Sequence, residues 1–157
     1  MIEGYKKIAP GHWYQSNITG TIRDYNMEYS KNSYDVYETT DTMSKLRFEL
    51  LEQFVGDYKT ICDVGYGNGS FMKYCQQQNK VVFGYDVSDY PVPVGTTRID
   101  SLKSFNFDVI TFFDSLEHFP EQDLLKTLRN INNQSICISV PWFHEDLGSY
   151  WFKNWKH

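Results

Sequence analysis

The stretch from Ile61 to Phe71, ICDVGYGNGSF, constrains the fold more than any other part of the sequence. A short apolar run leads there into a loop with glycine at alternate positions, which are Gly65, Gly67 and Gly69. A backbone without side chains is needed where a chain turns tightly between a strand and a helix, or where it comes close to a ligand. The stretch therefore predicts the first strand-to-helix turn of an α/β sheet.

Apolar runs of strand length alternate with helical stretches along the rest of the chain. The strand-like runs are KTICDV, KVVFGYDV, TTRID, FDVITFF and SICISV, and the helical stretches are SFMKYCQQQ and PEQDLLKTLRNI. Runs that are apolar on both faces and separated by amphipathic helices are typical of a parallel sheet covered on both sides. We predict an α/β fold with a doubly wound, mostly parallel sheet in a three-layer sandwich.

A further helix is predicted between Thr42 and Val55, ahead of the first of these strands. Its apolar residues recur at intervals of three and four, and Gly56 follows as a stop signal. We expect this apolar stripe to lie against the sheet. The residues that form it are Met43, Leu46, Leu50, Leu51 and Phe54.

Composition limits the class of protein. A chain of 157 residues with 41% hydrophobic residues fits one folded domain, and a net charge of -5 argues against a partner held through its phosphates. The opening MIEGYKKIAPGHWY has no apolar run of signal-peptide length, and no later stretch approaches a membrane span. We therefore predict a cytoplasmic protein, without a membrane or a nucleic acid as partner. Three cysteines without CxxC spacing are expected to be reduced core residues.

Two ligand classes compete for the glycine loop. A dinucleotide fingerprint needs a glycine where Ser70 stands, so a nicotinamide cofactor is disfavoured. The other pattern has an acid two residues before the first glycine and a second acid at the end of the next strand. Those acids are Asp63 and Asp86, and Asp86 follows Gly65 by 21 residues, about the offset at which a carboxylate reaches ribose hydroxyls. An acid at Asp63 suits the ammonium group of an amino acid better than a pyrophosphate.

Four pieces of sequence carry a resemblance to a known family. They are CDVGYGNGSF, VFGYDVS, IDSL and FDVITFFDSLEHFP, in this order and each at a predicted strand end. From about Ser44 to Pro141 the chain resembles the class I S-adenosylmethionine-dependent methyltransferases, in the small-molecule branch that includes the ubiquinone-type O-methyltransferases. The resemblance implies a Rossmann-like fold. Too few residues follow SICISVPWF for the two further strands of the family's sheet, so we expect the last strands to be lacking.

Composition divides the chain into two parts, and the resemblance implies a cofactor for the second part. Residues 1–41, in which Tyr25, Tyr29, Tyr34 and Tyr37 occur, are predicted to form a Tyr-rich N-terminal cap. Residues 42–157 are predicted to form one domain that binds S-adenosyl-L-methionine and is truncated at its C-terminus. The alternative to an active enzyme is a cofactor-binding module without turnover, or a fragment of a methyltransferase.

The cofactor contacts follow from the resemblance residue by residue. The loop from Gly65 to Gly67 would contact the methionine portion, with Asp63 supporting the loop, and Asp86 would bind the ribose hydroxyls. Arg47 would grip the carboxylate, for which bidentate pairing gives the reason. Simple packing is the alternative for Tyr66 and Phe113, and a solvated helix position for Arg47. The full predicted set is Arg47, Asp63, Gly65, Tyr66, Gly67, Asp86, with Val87, Asp100, Ser101 and Leu102 around the adenine, and Phe113 beside the methionine chain.

Methyl transfer from a sulfonium is an in-line displacement on an activated carbon, so positioning supplies most of the rate. A hydroxyl acceptor is helped by a general base, and the candidate is His118 in DSLEH, because imidazole titrates near neutral pH. His118 could instead only cap a turn. Ubiquinone-type relatives hold a divalent ion with a similar cluster, here Asp114, Glu117 and His118, but we predict no metal because residues so close in sequence rarely converge. The predicted partner is a small-molecule methyl acceptor.

Overall fold

The computed structural model describes residues 5–10, 12–15, 32, 41–103, 106–119, 126, 128–129, 131 and 135–140. The chain divides into two units, one made of Met1–Asp24 with Pro141–His157 and the other of Tyr25–Val140. In the first unit, β1 (Tyr5–Ala9) pairs with β2 (His12–Gln15) as an antiparallel hairpin. The four tyrosines of the predicted cap lie outside the described residues, and the predicted boundary after residue 41 stays a prediction.

The second unit contains a five-stranded sheet in the order β5-β4-β3-β6-β7. All four strand pairs are parallel, which confirms the predicted α/β fold with a doubly wound sheet. The strand predicted at TTRID is only two residues long. The elements are α1 (Asp41–Val55), β3 (Thr60–Val64), α2 (Ser70–Gln77), β4 (Val81–Tyr85), β5 (Thr97–Arg98), β6 (Val109–Phe113), a 3₁₀ helix (Leu116–His118) and β7 (Ser135–Ser139).

The strand order reverses between β3 and β6. From β3 the chain adds β4 and then β5 on one side, and it returns to add β6 and then β7 on the other side. In open α/β sheets the crevice for a ligand lies outside the carboxyl ends of the strands at such a switch point. The glycine loop follows β3 and the DSLEH segment follows β6, so the two predicted functional segments leave the sheet side by side.

Both faces of the sheet are covered by apolar side chains. One cluster includes Leu51 of α1 and Phe71 and Met72 of α2, and the other includes Phe107 and Leu116. The central strands β3 and β6 are buried along almost their whole length, as expected for strands that are apolar on both faces. The long helix predicted at PEQDLLKTLRNI lies mostly outside the described residues, but Leu128 and Ile131 pack against the second cluster.

Only part of the predicted apolar stripe of α1 faces the sheet. Leu51 is buried as expected, but the other four members are exposed, and the expectation for them was wrong. The buried face is instead formed by Ser44 and Leu51, with Phe48 and Val55 packed against the core. Apolar residues recur at helical spacing on two neighbouring faces of this helix, so the sequence pattern alone cannot select one. The exposed residues are Met43, Leu46, Leu50 and Phe54.

The three cysteines are free thiols, as predicted. Cys62 and Cys75 are buried, and burial raises the pKa of both thiols, which keeps them protonated and unreactive. Among the described residues, no helix combines the length and the apolar character needed to cross a membrane.

Candidate functional site

The glycine loop is built on backbone conformations that favour glycine. Gly65, Gly67 and Gly69 have φ angles of 77°, 55° and 74°. The N–H of Gly65 donates a hydrogen bond of 2.7 Å to the carbonyl of Tyr85, so the loop begins as a continuation of the β3–β4 pairing. A residue with a Cβ is strained at such φ values, which explains why the chain has glycine at these positions.

Two of these glycines are also required by neighbouring protein atoms. A Cβ on Gly65 would lie 2.4 Å from Cβ of Ser115, in the segment after β6. A Cβ on Gly69, directly before α2, would lie 2.7 Å from the ring of Pro93. From the sequence alone, such glycines indicate a tight turn between a strand and a helix or the close approach of a ligand. In the structure, close contact with Ser115 and Pro93 supplies a further reason for each.

Asp86, directly after β4, connects the end of that strand to the glycine loop. Its Oδ2 accepts a hydrogen bond of 3.0 Å from the N–H of Gly67, and its Oδ1 accepts one of 2.8 Å from the N–H of Ser88. A carboxylate oxygen has two lone pairs, so each oxygen keeps one for a further donor. Asp86 can therefore brace the loop and still accept hydrogen bonds from a ligand.

Arg98 was not predicted, although it is central to the support of the same loop. Its guanidinium donates to the hydroxyl of Tyr66 at 3.0 Å and to the carbonyl of Asp86 at 3.2 Å. The Tyr66 hydroxyl in turn donates to the carbonyl of Tyr90 at 2.5 Å. The ring of Tyr66 is buried in the first core cluster, so its side chain anchors the loop to the core. The available signal was a lone cation at the end of the short strand that follows Asp86.

Asp63 is a buried acid near the carboxyl end of β3. Only 4% of its surface is exposed, and its Oδ1 accepts a hydrogen bond of 2.8 Å from the hydroxyl of Thr111 on the neighbouring strand β6. Burial raises the pKa of Asp63 to about 6, against the opposing effects of the Thr111 hydrogen bond and the charge of Arg47. The hydrogen bond between Asp63 and Thr111 therefore links the two central strands, β3 and β6. Thr111 was missed, although a hydroxyl within the apolar run FDVITFF was a visible signal.

The structure brings Arg47 of α1 and Phe113 of β6 together. The guanidinium carbon of Arg47 lies 4.5 Å from the centre of the Phe113 ring, and this ring packs edge-on against Phe71 at 5.0 Å. Nη2 of Arg47 also lies 2.8 Å from Oδ2 of Asp114. Arg47 is therefore held, partly buried, at the carboxyl edge of the sheet, and its contact with a cofactor carboxylate stays a prediction.

His118 ends the 3₁₀ helix that follows β6. Its backbone N–H donates to the carbonyl of Ser115 at 3.1 Å, and its Nε2 lies 4.0 Å from Oε1 of Glu117. Burial, together with the charge of Asp114, raises the pKa of Glu117 to about 6. Within the part of the chain that the structure describes, no three His, Cys, Asp or Glu side chains are placed to hold a metal ion. That Asp114, Glu117 and His118 hold no metal stays a prediction.

The residues predicted around the adenine follow β4 and β5. Val87 is exposed next to Asp86, and Asp100 is exposed after β5. The hydroxyl of Ser101 accepts a hydrogen bond of 3.2 Å from the N–H of Lys103, and Leu102 packs against the second core cluster. An exposed apolar side chain beside Asp86 is free to cover an adenine ring. Their roles in binding stay predictions.

The residues at this edge fit an adenosyl amino acid. Asp86 retains lone pairs for the vicinal hydroxyls of a ribose, and Asp63 is a buried carboxyl group of the type that pairs with an ammonium group. Arg47 supplies a guanidinium for a carboxylate. These three groups match the hydroxyl, ammonium and carboxylate of the cofactor in both charge and hydrogen-bonding type.

The chain belongs to the methyltransferase domain family. The sequence model of this family matches residues 37–136, which is more than half of the chain. The match covers the glycine loop, Asp86 and the DSLEH segment. No curated protein sequence matches the chain significantly.

Solved structures with the same fold include several methyltransferases. The chain is 14% identical to CalS10, an amino pentose methyltransferase of calicheamicin biosynthesis from Micromonospora echinaspora solved with S-adenosylmethionine, with a TM-score of 0.57 over 74% of this chain and 58% of that one. It is 22% identical to the plantazolicin methyltransferase BpumL, solved with a desmethyl plantazolicin analogue and S-adenosylhomocysteine, with a TM-score of 0.52 over 71% and 51%. For a methyltransferase of Archaeoglobus fulgidus the identity is 17% and the TM-score 0.55, over 73% and 57%.

These findings confirm the predicted fold and the class of methyltransferase domain. The prediction of S-adenosyl-L-methionine as cofactor is confirmed at the level of this class, because structures with the same fold were solved with it or with its demethylated product. The chain spans 51 to 58% of the length of the three solved proteins. Membership of the ubiquinone-type branch stays a prediction.

Proposed function

We propose that the chain binds S-adenosyl-L-methionine at the glycine loop and transfers the methyl group to a small-molecule acceptor. The observation that carries the proposal is the 3.0 Å hydrogen bond between Gly67 N–H and Asp86. It joins the loop after β3 to the acid after β4 at the carboxyl ends of these strands, beside the switch point between β3 and β6 where open α/β sheets bind ligands.

Each side chain at this edge has a distinct role in the proposal. Asp86 accepts hydrogen bonds from the ribose hydroxyls, Asp63 faces the ammonium group, and Arg47 binds the carboxylate. The bound cofactor supplies an activated methyl carbon. Because that carbon needs no further activation, these residues contribute mainly by fixing its orientation towards the acceptor.

His118 is the proposed general base. It follows the strand end at which Phe113 lies, and its partly exposed imidazole faces solvent in part, from which an acceptor would enter. Removing the proton from an acceptor hydroxyl increases its nucleophilicity, typically by a factor of about 10² to 10⁴ for a well-placed base. A His118→Gln variant would keep a polar side chain but could not accept the proton.

The first test is isothermal calorimetry with S-adenosylmethionine and S-adenosylhomocysteine. We expect micromolar binding that Asp86→Ala reduces by roughly 100-fold, because two ribose hydrogen bonds to a carboxylate are lost. The matched control is Asp89→Asn, in the same loop, where the side chain is 88% exposed and lies 3.8 Å from Arg98. A folded wild-type chain that binds neither ligand would refute the proposal.

A cofactor-binding module without turnover is the second candidate. The chain spans 51 to 58% of the length of the three solved methyltransferases, so their activity is not carried over to it without a test. The two candidates are separated by transfer of a radiolabelled methyl group to a panel of phenols, sugars and amines. Cofactor binding at Asp86 without transfer to any acceptor would favour the module.

A further inference from the structure

Asp114 has an uncommon backbone conformation at the carboxyl end of β6. Its φ angle is 55°, which is costly for a residue other than glycine, although Asp and Asn tolerate it better than most. Three contacts hold it there. Its N–H donates to the carbonyl of Ser139 at 2.8 Å, its Oδ1 accepts from the Ser139 hydroxyl at 3.2 Å, and its Oδ2 accepts from Nη2 of Arg47 at 2.8 Å.

The conformation directs the Asp114 carboxylate towards α1, where Arg47 lies. Arg47 and Asp114 are 67 residues apart in sequence, so their contact joins a helix before the sheet to a strand end near its centre. The Phe113 ring forms a second support, because the guanidinium carbon lies 4.5 Å from its centre. A carboxylate on one side and an aromatic face on the other restrict a side chain that otherwise has many rotamers.

The guanidinium retains binding capacity in this arrangement. It has five N–H donors, and only Nη2 contacts Asp114. The side chain of Arg47 is 25% exposed, so part of the group still faces solvent. A second carboxylate can therefore bind without breaking the first pair.

We infer that Asp114 is a positioning residue for the cofactor: it holds the Arg47 guanidinium over Phe113 so that the free N–H groups receive the carboxylate of the methionine portion. The inference rests on the proposed function. In it, Asp114 acts on the cofactor only indirectly, by holding the guanidinium of Arg47. An arginine that is ordered before binding loses less conformational freedom when the ligand arrives, which increases affinity. The effect is confined to ligands that carry the carboxylate.

A pair of ligands isolates this effect. S-adenosylhomocysteine carries the carboxylate, whereas 5′-methylthioadenosine has the same adenosine and sulfur but no amino acid portion. The variant is Asp114→Asn, which removes the charge but keeps the shape of the side chain. Asparagine also tolerates the left-handed backbone conformation of this position. The matched control is Glu49→Gln on α1, whose exposed carboxylate lies 3.7 Å from Lys45 and away from this edge.

For Asp114→Asn we expect calorimetry to show roughly a tenfold weaker affinity for S-adenosylhomocysteine, as for loss of one charge-assisted contact. The affinity for 5′-methylthioadenosine should stay within about twofold. In an Arg47→Gln background, Asp114→Asn should have no further effect, because its role requires the guanidinium. Glu49→Gln should bind both ligands as the wild type does.

Three outcomes would overturn the inference while leaving the proposed function standing. Equal losses for both ligands would assign Asp114 a general structural role, and unchanged binding would deny it any role. Tighter binding of S-adenosylhomocysteine would show that Asp114 competes with the cofactor for Arg47. A folded wild-type chain that binds neither ligand would instead refute the proposed function itself, and the inference with it.

Discussion

Ser115 donates a hydrogen bond of 2.6 Å from its hydroxyl to the carbonyl of Val64, directly before the first glycine of the loop. The segment after β6 therefore lies against the loop after β3, across the switch point of the sheet. The contact is possible because Gly65 has no side chain, since a Cβ there would overlap Cβ of Ser115. The two segments that carry the family signature thus support each other without a ligand.

This contact predicts that Gly65→Ala destabilises the chain by about 2 to 4 kcal/mol, from a left-handed backbone and from overpacking. The matched control is Gly56→Ala at the end of α1, where φ is 82° and no atom lies within 4 Å of the added Cβ. This control should cost only about 1 kcal/mol. Urea unfolding of both variants measures the difference.

A second comparison identifies the atoms that collide. In a Ser115→Gly background the two nearest atoms to the new Cβ are absent, so Gly65→Ala should cost less there by about 1 kcal/mol or more. Equal costs at positions 65 and 56 would contradict the steric argument and leave the backbone conformation as the whole effect.

The network of Arg98 gives a second prediction, which concerns the support of Asp86. Arg98→Lys keeps the charge, but a single ammonium group cannot donate hydrogen bonds to both the Tyr66 hydroxyl and the Asp86 carbonyl. We therefore expect a loss of about 1 to 2 kcal/mol of stability and weaker cofactor binding. Tyr66→Phe removes the shared hydroxyl, and the two changes should be non-additive because they break one network.

Urea unfolding and calorimetry of the two single variants and the double variant provide the measurement. Asp89→Asn is the control, because it removes only an exposed partner of Arg98 at 3.8 Å and should cost less than about 0.5 kcal/mol. Additive effects of Arg98→Lys and Tyr66→Phe would show that these residues act separately.

The sheet and the glycine loop could be predicted because their signals are local. Alternating apolar runs define strands, and the spacing from Gly65 to Asp86 indicates an acid at the end of the next strand, without knowledge of distant contacts. The face of α1 that meets the sheet could not be predicted, because Leu46 and Phe48 both belong to plausible apolar stripes. Packing against the core decides between them, and it selects the face with Phe48.

The contacts between distant segments could not be predicted either. Arg47 and Asp114 were each identified in the sequence, one as a cofactor ligand and the other as a potential metal ligand, but not as partners. Pairing a helix residue with a strand end 67 positions later requires the register of the fold. The same holds for Asp63 and Thr111, whose contact depends on β3 lying directly beside β6.

The third prediction concerns the pH dependence of stability. Burial raises the pKa of Asp63 from 3.8 to about 6, so the folded chain binds more protons than the unfolded chain between these values. Stability should therefore decrease as pH rises from about 4 to about 6, because the ionised form is disfavoured in the folded state. Asp63→Asn removes this cost, keeps an acceptor for Thr111, and should stabilise the chain at pH 7 by an amount on the order of 2 kcal/mol.

Urea unfolding at a series of pH values from about 4.5 to 7.5 tests this sign. Glu117, whose pKa is also raised to about 6, should contribute a decrease in the same window, so Glu117→Gln is the matched variant that separates the two. Asp108 should act only at lower pH, because hydrogen bonds from Thr60 and Lys59 lower its pKa.

If Asp63→Asn is less stable than the wild type at pH 7, the carboxylate is stabilised in place, and Asp63 is an ionised brace. If it is more stable but binds S-adenosylhomocysteine less well, the chain maintains a destabilising buried acid because the ammonium group of the cofactor requires it.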